Sequence, residues 1–104
     1  MHTATLERIV STIRSKRVVL FMKGNKAAPQ CGFSAQVVSI LNQEQIEYCD
    51  IDVLSDRELR QGLKEFSSWP TFPQLYVGGE FLGGADLVNA LSRSGEFGRV
   101  LAAV

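Results

Sequence analysis

The stretch VVLFMKGNKAAPQCGFSAQVVSILNQE, residues 18–44, decides the fold. Its first five residues, Val18 to Met22, are a short, continuous, β-rich apolar run, the pattern of a strand covered on both faces. The next eight, KGNKAAPQ, gather Gly24, Asn25 and Pro29 into a loop. Cys31 follows, and from Ser34 to Glu44 the apolar residues Val37, Val38, Ile40 and Leu41 recur without a breaker, as a helix requires. A central strand thus runs through a loop to a cysteine placed at the start of a helix.

The flanks extend this unit. On the N-terminal side Leu6, Ile9, Val10 and Ile13 recur at helical spacing, and Arg14, Lys16 and Arg17 gather where the last turn should be. On the C-terminal side Ile46 to Ile51 predicts a second strand, and Asp56 to Phe66 a helix with Leu59, Leu63 and Phe66 on one face. The order αβαβα favours parallel strands joined by right-handed crossovers. Gln74 to Val77 and Glu80 to Leu82 then flank Gly78-Gly79, the two-residue spacing of a tight antiparallel hairpin. Gly83-Gly84 stops that strand, Asp86 to Ser92 starts another helix on Leu87, Val88 and Leu91, and Phe97, Val100 and Leu101 add a last helical turn or two. The sum is an α/β chain: one domain over residues 1–104, with a four-stranded mixed sheet flanked by helices on both faces.

Composition agrees with one packed domain, since 45% of the 104 residues are hydrophobic and 21% charged. Eleven Lys+Arg balance eleven Asp+Glu, so no long-range field recruits a polyanion, which argues against nucleic acid and against an anionic membrane. No apolar run approaches the roughly 18 to 20 residues that span a bilayer, and MHTATLERIV has polar residues where a signal peptide is apolar. The expectation is a cytoplasmic protein, or an organelle-matrix protein if a transit peptide has been removed. Two cysteines, Cys31 and Cys49, are too few for a secreted disulfide scaffold and point to a reducing compartment, where cysteine chemistry is catalytic or metal-binding.

Cys31 stands where free backbone N–H groups and the positive end of a helix dipole favour thiolate over thiol. Lys23, across the loop, adds positive charge or binds a ligand carboxylate. A cysteine is more often a small buried hydrophobe, but the polar, Gly/Pro-flanked surroundings reverse that preference here. Position 34 is Ser, not Cys, so no local dithiol forms. An external thiol is needed to resolve a mixed disulfide or to share a metal. Cys49 is one source of such a thiol, but it lies in a strand run, where a cysteine is more often a buried packing residue.

Cys31-Gly32-Phe33-Ser34, with Lys23-Gly24 before it and Trp69-Pro70-Thr71-Phe72-Pro73-Gln74 and Gly83-Gly84-Ala85-Asp86 after it, closely resembles the monothiol glutaredoxins with a CGFS site. Four segments match in order over almost the whole chain, and the resemblance implies a thioredoxin-like fold. It also implies a bound glutathione. Lys23 and Arg60 resemble the cations that pair with the tripeptide's glycine carboxylate. Thr71-Phe72-Pro73 resembles the family's cis-proline segment, where the backbone at Phe72 pairs with that of glutathione. Gly84-Ala85-Asp86 resembles the segment that takes the γ-glutamyl end, with helix amides for its carboxylate and Asp86 for its ammonium group; Asp86 also suits a plain N-cap. Trp69 is either a packing residue at its loop or a partner-facing aromatic. Ala85 stands where many relatives have cysteine or serine, which removes any disulfide between that position and Cys31.

Cysteine arithmetic then constrains function. A [2Fe–2S] cluster takes four ligands, mostly thiolates, and one chain brings Cys31 alone. The resemblance implies that two chains and two glutathione thiols complete the set, so that the protein is a monomer when apo and a homodimer when it holds a labile cluster. The resemblance further implies a cluster carrier in iron–sulfur and iron/redox homeostasis, with apo iron–sulfur proteins and BolA-like proteins as partners. The alternative is a glutathione-dependent thiol–disulfide oxidoreductase that removes glutathione from proteins through the monothiol route.

Overall fold

The computed structural model describes residues 1–103. The chain runs α1 (Thr3–Ser15), β1 (Val18–Met22), β2 (Gly24–Asn25), β3 (Ala28–Pro29), α2 (Gly32–Gln43), β4 (Cys49–Asp52), α3 (Arg57–Ser67), β5 (Gln74–Val77), β6 (Glu80–Gly83), α4 (Ala85–Ser94) and α5 (Phe97–Ala102). Four strands form the main sheet in the order β4-β1-β5-β6, with β4 parallel and β5 antiparallel to β1. The fold is thioredoxin-like, as the resemblance implied.

All five residues of β1 are buried, because alternate side chains enter opposite cores. Leu20 and Met22 join Val37, Leu41, Val88, Phe97 and Leu101 from α2, α4 and α5 on one face. Val19 and Phe21 join Ile9, Ile13, Leu59 and Leu63 from α1 and α3 on the other. Gly62 lets α3 lie against α1, since a Cβ there would stand 2.8 Å from Thr5 Cγ2 and 3.2 Å from Ile9 Cδ1. The β5–β6 turn has Gly78 and Gly79 at φ 61° and 83°, the left-handed pair that a tight hairpin demands.

Two readings of the sequence change in detail. Residues 23–30 are not a plain loop, since they hold the two-stranded β2–β3 hairpin. The second strand starts at Cys49 rather than Ile46. Gln45 adopts φ 57° and the Ile46 N–H donates to Leu41 O at 2.9 Å, which closes α2. Ile46 and Tyr48 then pack along the core edge, out of reach of the ladder. Cys49 is half-buried and packs beside Ile51 against the α1/α3 core.

Candidate functional site

The site forms at the C-terminal end of β1. Gly24 makes it sharp: its φ is 86°, and a Cβ would stand 2.6 Å from Ala28 O and 2.7 Å from Gln30 N, so only glycine fits. Gln30 N–H donates to Lys23 O at 2.8 Å and closes the β2–β3 hairpin at its base. Asn25 Oδ1 accepts the N–H groups of Ala27 and Ala28 at 2.9 and 2.8 Å and sets the hairpin's tip. The hairpin delivers Cys31 to the N-cap of α2, with extended backbone at φ −152° and ψ 137°.

Cys31 is half-buried, and its thiol is held below the ordinary value of 9.0. The backbone N–H of Ser34 is the largest influence. Partial burial opposes it, and the N–H of Phe33, the Lys23 ammonium and the Ser34 hydroxyl assist. The sulfur makes no capping hydrogen bond, so these groups favour the thiolate through the field at the helix start. No acidic residue stands in the first turn of α2.

The second wall is residues 69–73 with the Phe72–Pro73 peptide cis. A fully buried Gln74 holds this segment, donating from Nε2 to Trp69 O at 3.2 Å and to Thr71 O at 3.3 Å. Gln74 Oε1 accepts from the Tyr76 hydroxyl at 3.0 Å, whose pKa burial pushes up to about 12. The phenol therefore stays protonated and the network complete. Gly84 and α4 close the third side. A Cβ on Gly84 would meet Pro73 O at 3.3 Å and Trp69 Nε1 at 3.4 Å, so the two walls meet at a glycine.

These walls enclose a pocket of about 580 Å³. Lys23, Cys31, Thr71, Phe72, Pro73, Gly84, Ala85 and Asp86 all line it. Arg60 does not. It lies on α3, half-buried, with a buried Nε that has no hydrogen-bond partner. Phe33, Phe81, Leu82 and Leu87 also line the pocket, and so does Trp69, whose ring lies 6.1 Å from that of Phe81. Trp69 therefore both packs and faces the pocket. The apolar lining was missed because Phe81 and Leu87 read equally well as core residues of their elements. A larger open groove of about 930 Å³ lies at the other end of β1, lined by Lys16, Arg17, Tyr48 and Cys49 among others. It lacks a thiol at a helix start, so the chemistry belongs to the smaller pocket.

The arrangement suits a ligand with an anionic end placed beside a reactive thiol. Lys23 and the start of α4 bring positive potential to the same pocket that Cys31 lines.

Comparison with known proteins agrees. The sequence profile of the glutaredoxin family matches residues 18–82. A probable monothiol glutaredoxin 2 of Rickettsia typhi is 52% identical over 101 residues, 97% of this chain and 91% of that one. The solution structure of reduced apo GrxS14 from poplar shares 49% identity, covers 96% of this chain and 89% of its own, and superposes with a TM-score of 0.79. The fold alone is shared, at 21% identity and TM-score 0.81, with a buckwheat glutaredoxin solved in complex with glutathione, over 99% of this chain and 96% of that one. In profile, in sequence along nearly its whole length and in fold, the chain belongs to the monothiol glutaredoxins.

Proposed function

We propose that this chain binds glutathione in the pocket of Cys31 and carries a labile [2Fe–2S] cluster as cargo, shared between two copies. The observation that carries the reading is a single half-exposed sulfur, biased to thiolate, in a pocket that Lys23 also lines. Thiolate is the donor that such clusters take, and the Cys31 sulfur fits as one of the four. Cys49, the other cysteine, lines a different groove, so one chain supplies one ligand. Two chains and two glutathione thiols make four.

In this reading Lys23 pairs with the glycine carboxylate of glutathione, and Arg60, which lies on α3 outside the pocket lining, is the second cation that the family resemblance assigns to that carboxylate. The backbone at Thr71, Phe72 and Pro73 pairs with the tripeptide. The α4 amides at Gly84 and Ala85 take the γ-glutamyl carboxylate, and Asp86, exposed at the rim, takes its ammonium group. The apo chain is monomeric, and cluster binding makes the homodimer. Apo iron–sulfur proteins receive the cluster, BolA-like proteins dock on the loaded form, and the setting is the cytoplasm or an organelle matrix. No helix among the described residues is long and apolar enough to cross a membrane.

The lowered thiol of Cys31 also supports a second reading, monothiol deglutathionylation. The Cys31 thiolate attacks the glutathionyl sulfur of a mixed disulfide, the protein thiolate leaves, and Cys31 is left joined to glutathione. A second glutathione thiolate then attacks that disulfide, releasing glutathione disulfide and the Cys31 thiolate.

Anaerobic reconstitution with iron, sulfide, a cysteine desulfurase and glutathione, read by visible absorption, circular dichroism and sizing, separates the two. A [2Fe–2S] spectrum in a dimer, absent when glutathione is left out, supports the carrier. An uncoloured monomer that turns over a glutathionylated peptide briskly moves the assignment to the oxidoreductase.

A further inference from the structure

We propose that Asp52, on β4 and outside the pocket lining, is a positioning residue for Lys23: its carboxylate fastens the β2–β3 hairpin to the sheet and so fixes the Lys23 backbone beside Cys31. The proposal rests on the glutathione reading only for its ligand readout.

Asp52 Oδ1 accepts the N–H of Gly24 at 3.0 Å. The same oxygen accepts the N–H of Leu54 at 2.9 Å, so the acceptor is held from its own loop before it reaches the hairpin. One residue earlier, Lys23 N–H donates to Ser34 Oγ at 3.1 Å and Lys23 O accepts from Gln30. Both polar backbone groups of Lys23 and the N–H that follows it are thereby engaged. Gly24 lies at a left-handed φ with no room for a Cβ, and an Asp52 without its acceptor would leave that bend unsupported. A second contact backs the first, since Asp50 Oδ2 accepts the Lys26 N–H at 2.8 Å. Lys26 Nζ donates to Tyr48 O at 2.9 Å and lies 4.2 Å from the Tyr48 ring centre. The hairpin is therefore seated on β4 along its length, and Asp52 holds the end nearest the cysteine.

Asp52 carries charge as well as an acceptor, and two substitutions separate the roles. Asp52→Asn deletes the charge and keeps a side-chain oxygen for both N–H groups, whereas Asp52→Ala deletes both.

The test is amide hydrogen exchange at Lys23 and Gln30, read by NMR in the apo chain, for wild type, Asp52→Ala and Asp52→Asn. Reduced glutathione is then titrated by NMR into these and into Lys23→Ala and the Asp52→Ala/Lys23→Ala pair. The expected result is exchange about tenfold faster at both amides in Asp52→Ala and within about twofold of wild type in Asp52→Asn, as for a hairpin that opens locally when its fastening is lost. Glutathione affinity should fall about tenfold in Asp52→Ala, stay within about twofold in Asp52→Asn, and fall no further when Asp52→Ala is added to Lys23→Ala. Unchanged exchange at Lys23 and Gln30 in Asp52→Ala, or equal acceleration in the two Asp52 variants, overturns the proposal. A wild type that shows no saturable glutathione binding overturns the functional reading, and the exchange comparison still decides Asp52.

Discussion

Ser34 Oγ, fully buried, accepts the backbone N–H of Lys23 at 3.1 Å. One hydroxyl thus ties the last residue before the hairpin to the first turn of the helix that carries Cys31. The same residue lowers the Cys31 thiol through its N–H and its hydroxyl. Where a dithiol enzyme has its second sulfur, this chain has a fastener.

Ser34→Ala should therefore cost stability and reactivity together. Losing the acceptor leaves a part-buried N–H unpaired, at about 1 to 2 kcal/mol, and the alkylation midpoint of Cys31 should rise. Urea denaturation and an iodoacetamide pH series read the two effects, and a variant equal to wild type in both would sink this account of the link.

The lowered thiol of Cys31 makes stability pH-dependent with a fixed sign. A thiol whose folded value lies below its unfolded value near 9.0 stabilises the fold fully above the unfolded value and loses that contribution as pH falls through the folded one. The stability of wild type relative to Cys31→Ser should thus grow as pH rises across that window and be flat below it. Because the sulfur is half-exposed, added salt should shrink the difference. A gap that narrows with rising pH would contradict the assignment.

Gly24→Ala should destabilise by about 1 to 3 kcal/mol, the usual cost of a strained backbone residue, because the position combines a left-handed φ with a Cβ clash against Ala28 O. Gly98→Ala, where a Cβ meets nothing within 4 Å, serves as the control and should be near neutral. Equal thermal midpoints for the two would show that the hairpin relaxes freely.

Asp56 caps α3. It accepts the Leu59 N–H at 3.0 Å and an Arg8 N–H at 2.5 Å, which hold its carboxyl below the usual 3.8, the Leu59 amide first. Asp56→Ala should cost about 1 kcal/mol at neutral pH. For a depressed carboxylate the contribution is present above the unfolded value and fades as pH falls through the folded one, so wild type and variant should converge in acid. A constant difference down to the most acidic reading would assign the effect to packing instead.

Much of this was legible in the residues. The double-sided burial of β1 followed from an unbroken VVLFM, the β5–β6 hairpin from Gly78-Gly79, and the cysteine at a helix start from the order of loop and periodic segment. The pocket walls at Thr71-Phe72-Pro73 and Gly84-Ala85-Asp86 came from the family resemblance, because taken alone the first reads equally as an ordinary turn into the hairpin and the second as a plain helix start. The β2–β3 hairpin was hidden, since two-residue strands have no period to detect and are set by Asp50 and Asp52, which lie more than twenty residues away. The late start of β4 was hidden for a related reason: Ile46 and Tyr48 alternate like a strand, but their apolar contacts are with the α2 side of the core. The polar backing of the cis-proline wall by Gln74 and Tyr76 was equally invisible, because a glutamine in a strand gives no sign of burial until the fold encloses it.

The strand β1 is shared by both hydrophobic cores, and Lys23 follows it without an intervening residue. Neither core can open without disturbing that strand, so the foundation of the pocket belongs to the most persistent part of the molecule and not to a fraying edge. Amide protons of Val19 to Phe21 should then be among the last to exchange with deuterium, by the route of global unfolding. Ligand affinity should accordingly stay level through sub-denaturing urea and vanish only with the fold itself.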